Sequence, residues 1–147
     1  MEKFPLKKTR EFSVMGFDFG TKRIGVAFGQ TLTGTASALS PVTARDGIPD
    51  WQVLDKLIAE WQPDAFLVGL PYNMDDTESE LLVRARKFGN RLNGRYAKPC
   101  YGMDERLSTF EARGQRMRGE SDAQLDSLSA QLVLEAWFNE MNDRFGT

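Results

Sequence analysis

The chain contains no histidine and a single cysteine, Cys100, in 147 residues. Lack of histidine excludes Ser-His-Asp and Cys-His catalysis, imidazole general bases and histidine-bound zinc or iron. One thiol closes no disulfide within the chain and builds no zinc-thiolate site. Flanked by Pro99 and Tyr101, it reads as strand packing rather than as a nucleophile. No apolar run approaches the ~20 residues that cross a bilayer, and the opening MEKFPLKKTREF lacks the apolar segment of a signal peptide. A cytoplasmic protein without a membrane partner is expected. Net charge is −2, so the chain as a whole does not advertise a polyanionic partner. What is left for chemistry is carboxylate, lysine, hydroxyl and hard metal ions. Clustered Asp and Glu favour Mg2+ or Mn2+, which take oxygen ligands.

With 41 % hydrophobic and 27 % charged residues the composition is globular, and the length suits one domain. Residues 1–10 are basic and read as a loose N-terminal arm, ahead of a single domain over 11–147. Residues 12–19 and 24–30 read as strands of an antiparallel hairpin, and 33–43 as a third strand. Asp50 is placed to cap a helix over 51–62, where Trp51, Leu54, Leu57, Ile58 and Trp61 recur at helical spacing. The continuous apolar run AFLVGL (65–70) predicts a strand buried on both faces. Thr77 and Glu80 form a capping-box pattern opening a helix to about residue 93. KPCYGMDER (98–106) reads as a fifth strand. Ser108 and Ser121 then begin two further helices, the last running to about residue 142. Three strands, helix, strand, helix, strand, helices predict an α/β fold: a five-stranded mixed sheet with helices on both faces.

The helix after residue 78 carries two stripes. Leu81, Ala85, Phe88 and Leu92 form its core face. Arg84, Lys87 and Arg91 share another. Such a stripe is either a solvated surface or a face for backbone phosphates.

Three acidic positions stand out. Asp18 sits inside the most hydrophobic strand, VMGFDFG, followed by the cations Lys22 and Arg23. Asp104-Glu105 ends a strand just before Arg106. Asp126 lies in the second turn of the last helix, at the edge of the stripe Leu125, Ser129, Leu132, Val133 and Ala136, so it faces the protein body. Each alone has a structural explanation, as a turn cap, an ion pair or a helix N-terminal acid. Together they can share divalent cations, which would compensate the charges and serve phosphodiester hydrolysis. Both readings stay open on residue types alone. Phosphate-loop chemistry fails: GTKRIG (20–25) is followed by Val26-Ala27 where Lys and Ser or Thr are required.

The segments DFGTKRIGVA (18–27), GLPYNMDDT (69–77), ARKFGNRL (85–92), DERLST (104–109) and DSLSAQLVL (126–134), in this order and spacing, closely resemble the YqgF (RuvX) family of RNase H-like nucleases. The resemblance implies an RNase H-like fold and a metal-dependent site with acids at Asp18, Glu105 and Asp126, which are then both catalytic and metal-binding. Lys22, Arg23, Arg84, Lys87, Arg91 and Arg106 become candidates for nucleic-acid contact. Because neighbours on a regular strand face opposite sides, Asp104 and Glu105 are not both expected in one site. The family is associated with maturing the 5′ end of pre-16S rRNA and with resolving Holliday junctions. The implied partners are therefore pre-rRNA or branched DNA, with a pre-ribosomal particle and a homodimeric copy as further expectations. One departure is Asp76, where the family's loop carries glycine. Two other readings compete. A non-catalytic RNA-binding assembly factor would lack cleavage, whereas the three acids are present. A phosphotransferase of the actin and sugar-kinase type needs two domains closing on ATP, and this chain has room for one.

Overall fold

The computed structural model describes residues 1–72, 75, 77–104 and 122–146. Six strands form one sheet: β1 Ser13–Asp18, β2 Arg23–Gln30, β3 Thr35–Arg45, β4 Ile48–Pro49, β5 Ala65–Leu70 and β6 Cys100–Asp104. Their order is β4-β3-β2-β1-β5-β6. The first four pair antiparallel, whereas β5 joins β1, and β6 joins β5, in parallel. Three helices complete the described part: α1 Trp51–Trp61, α2 Glu80–Tyr96 and α3 Asp122–Phe145.

Alternation along the strands sorts the sheet into two cores. Met15, Phe17, Ile24, Val26, Phe66 and Val68 meet Leu54 and Ile58 of α1 and Leu82, Ala85, Phe88 and Leu92 of α2. On the other face Val14, Ala27 and Leu67 meet Ala130, Val133, Leu134, Trp137 and Phe138 of α3. Helices thus cover both faces, as expected. AFLVGL is buried at every position, since a central parallel strand has no solvent side. Asp50 caps α1 through the amides of Gln52 and Val53.

Four expectations need correction. A sixth strand exists: Asp46 and Gly47 both adopt positive φ, 52° and 81°, and this tight turn folds two-residue β4 onto the end of β3. The cap of α2 is Ser79, whose hydroxyl accepts from the Leu82 amide; Thr77 instead turns back on Asp75. The cap must directly precede the first helical residue, and that is Glu80. The deepest residue of the first turn of α2 is accordingly Leu82, with Leu81 only partly buried. Finally, the arm is docked. The Glu2 carbonyl accepts from the Gly102 amide at 2.9 Å, covering the outer edge of β6. The Lys3 carbonyl accepts from Trp137 Nε1 at 2.7 Å, and Phe4 stacks on the Trp137 ring. Among the described residues no helix is long and apolar enough to cross a membrane.

Candidate functional site

Asp18 ends β1 at the edge where the parallel strands β5 and β6 also end, at Leu70 and Asp104. Val14 and Gly16, four and two residues before it, face α3, so the pleat puts Asp18 on the α3 face. Its cross-strand partner is Gly25 of β2. An ideal Cβ on Gly25 would overlap the Asp126 carbonyl and stand 2.9 Å from the Ser127 nitrogen. Glycine is therefore required for the first turns of α3 to rest directly on the strand. The Ser127 hydroxyl, 3 % exposed, accepts from the Val26 amide at 3.3 Å. That amide lies where the β2–β3 register shifts between Ile24 and Val26. The extra residue falls in β3 beside Pro41, which has no amide to offer. Gly25 and Ser127 thus tie α3 to β2, and Asp126 is brought beside the strand pair that carries Asp18.

Asp126 is compensated by Arg23, whose Nε donates to its Oδ2 at 2.8 Å. Arg23 opens β2 on the same side of the pleat as Gly25. Lys22 is exposed in the preceding loop. Its carbonyl accepts from the Ala44 amide, as that of Thr21 does from Gly47, so β3 and the β3–β4 turn hold this loop in place. By alternation Asp104 lies with Cys100 and Gly102 on the α1/α2 side of β6. Glu105 and Arg106 lie outside the described residues, as does Asp76. Among the described residues no group of three potential metal ligands gathers. The pair Asp18 and Asp126 offers hard oxygen donors of the type Mg2+ and Mn2+ prefer, in a place that already draws in a cation.

The basic stripe borders a second feature. Arg84, Lys87 and Arg91 line a cavity of about 160 Å³ closed by Asp46, Gly47 and Ile48. Arg84 donates to Asp46 at 2.9 Å and to Glu80 at 3.2 Å, and the Asp46 hydrogen bond comes first among the causes that raise its pKa. The Phe19 ring, one residue beyond Asp18, would lie 3.1 Å from a Cβ on Gly47. Cavity and acid pair therefore flank the same loop, on opposite faces of the sheet. Cys100 is remote from both; burial pushes its thiol up to about 12, as suits packing and not nucleophilic attack.

Gly25, Ser127 and Asp46 are the residues that sequence reading missed. A glycine inside the apolar run IGVAF was a usable sign of close backbone approach. Asp46, followed by Gly47, carried a hairpin signal but none of a cavity, and Ser127 carried no sign.

Comparison with known proteins completes the description. The model of a family described as "RuvX: Holliday junction resolvase" matches residues 12–140. A protein of Aeromonas hydrophila subsp. hydrophila bearing the name "Putative pre-16S rRNA nuclease" is 56 % identical over 133 residues, covering 87 % of this chain and 95 % of its own. One of the same name from Marinobacter nauticus is 52 % identical over 132 residues, covering 86 % and 92 %. Among solved structures, T. thermophilus RuvC in complex with a Holliday junction substrate superposes with a TM-score of 0.52 at 15 % identity. It covers 88 % of this chain and 96 % of RuvC, a likeness of fold.

Proposed function

The chain belongs to the RuvX family and is a nuclease, and from that premise we propose that it hydrolyses phosphodiesters of structured RNA at a divalent-cation site formed by Asp18, Glu105 and Asp126. The observation that carries the reading is the contact of Gly25 with the Asp126 backbone, directly across from Asp18. It sets the backbone of Asp126 against the strand paired with the one that ends in Asp18, which supports a shared role for the two acids. Glu105 directly follows Asp104 in sequence and is the third acid of the family motif. A bound Mg2+ or Mn2+ would supply Lewis-acid charge and a water of lowered pKa.

The chain's own residues supply the rest. Asp18 and Asp126 hold the positive charge, and α3 seated on Gly25 fixes their separation. Lys22 and Arg23 meet phosphate oxygens near the acids. The cavity of Arg84, Lys87 and Arg91 takes a neighbouring stretch of backbone on the other side of the loop. We take the 5′ end of pre-16S rRNA, within a pre-ribosomal particle in the cytoplasm, as the substrate, because relatives sharing half their residues carry that name. A four-way DNA junction is the second reading, since the same acids would serve it. Cutting a junction symmetrically needs two sites and hence a second copy of the chain. The test compares the purified protein on a pre-16S 5′-leader RNA and on a four-way DNA junction, with Mn2+ and with chelator. Cleavage of the RNA alone, dependent on Mn2+, is expected. Faster cutting of the junction transfers the assignment to DNA, and no cutting of either leaves a binding protein.

A further inference from the structure

Arg23 does more than wait for phosphate. Its Nε holds Asp126 Oδ2, with the guanidinium side chain 39 % and the carboxylate side chain 28 % exposed. Both ends of this pair are fixed by backbone. Arg23 is two residues from Gly25, on which α3 rests, and Ser127, next to Asp126, is hydrogen-bonded to Val26 of the same strand. Neither partner reaches the other through a long flexible loop. A full positive charge is thus built onto one oxygen of a carboxylate that a hard cation would use.

We propose that Arg23 is the resident counter-charge of the acidic site, holding Asp126 in the metal-free protein and opposing the divalent cation that binds there. The inference rests on the metal reading above. A partly buried carboxylate near other acids suffers desolvation and repulsion, and a guanidinium on it offsets both. The same charge repels an arriving dication. At about 6 Å, with a dielectric near that of water, the repulsion between one positive charge and a dication corresponds to about a tenfold loss of affinity. Arg23 is therefore a positioning residue: it keeps the site assembled when empty and sets the metal concentration at which it fills.

The test is Mn2+ binding by electron paramagnetic resonance, with full-length protein and no nucleic acid, alongside melting temperatures in chelator. Arg23→Gln should bind Mn2+ about tenfold more tightly than wild type, yet melt lower in chelator. Arg23→Met, which keeps the aliphatic stem, should tighten binding alike and stands in if the glutamine variant fails to fold. Arg23→Lys retains the charge and should stay within about threefold of wild type. Unchanged or weaker Mn2+ binding by the neutral variants would overturn the proposal while leaving the metal site standing. If Asp126→Asn binds Mn2+ as wild type does, Asp126 is no ligand, and the metal reading falls together with the role of Arg23.

Discussion

At the scale of single residues, one hydrogen atom at Gly25 decides how closely α3 approaches the acid strand. Gly25→Ala sets a methyl group against the Asp126 carbonyl, a backbone atom that cannot rotate aside. Overpacking of this kind costs about 1–3 kcal/mol. The expected outcome is a lower melting temperature together with a loss of cleavage larger than the unfolded fraction explains, because Asp126 moves with the helix. A fall in melting temperature with normal cleavage per folded molecule would separate Asp126 from the chemistry. Asp18 was legible in the sequence because a carboxylate inside an apolar strand violates the pattern around it. The part played by Gly25 was not, because a strand glycine signals that something comes close without saying what. The pairing of Arg23 with Asp126 spans 103 residues, and no local pattern encodes it.

At the scale of elements, α1 and α2 are joined by a surface clamp. Arg95 Nε and Nη2 donate to the two Asp55 oxygens at 3.0 and 2.8 Å, the Tyr96 hydroxyl donates at 2.6 Å, and the Arg95 guanidinium also lies over the Trp51 ring. The Arg95 hydrogen bond, and then that of Tyr96, lower the Asp55 pKa from 3.8 to about 2. A depressed folded value means that the clamp contributes fully above pH 3.8 and is lost as pH falls towards 2. Asp55→Asn should therefore melt lower than wild type at neutral pH and lose less on acidification through that window. Parallel melting curves for the two proteins between pH 5 and 2 would show that the clamp adds nothing; that range brackets the usual carboxylate pKa. Elements with a strong local signature were legible: the Asp50 cap, the helical spacing of α1 and the apolar run of β5. β4 was missed because two residues show no period, although Asp-Gly is a hairpin signal. The docked arm was missed because its partners, Gly102 and Trp137, are remote in sequence.

At the scale of the whole molecule, a net charge of −2 conceals a division of labour. The acid pair lies on the α3 face, the cavity of Arg84, Lys87 and Arg91 lies on the α2 face, and the loop after Asp18 runs between them. A nucleic acid touching both must turn around the edge of the sheet, which suits a folded RNA better than a straight duplex. Replacing all three cations with alanine should weaken RNA binding and flatten the plot of log affinity against log salt by about 2, because each lost phosphate contact releases fewer counterions. An unchanged slope would make the stripe a solvated face. The order of elements and the two-faced architecture were legible in the sequence because hydrophobic periodicity reports them directly. The division of charge between faces was not, since it depends on which strand each helix covers.

The central claim is that Asp18 serves hydrolysis rather than the fold. Asparagine nearly matches its shape but is a poor ligand for a hard divalent ion. The deciding measurement is the rate at which Asp18→Asn, shown to be folded by its melting curve in chelator, cleaves pre-16S 5′-leader RNA in Mn2+. The account predicts a rate reduced by at least about a hundredfold in a protein that melts no lower than wild type, since in the proposed site neutralising one acid relieves its repulsion of the others. A lower melting temperature with near-normal cleavage by the molecules still folded would contradict it.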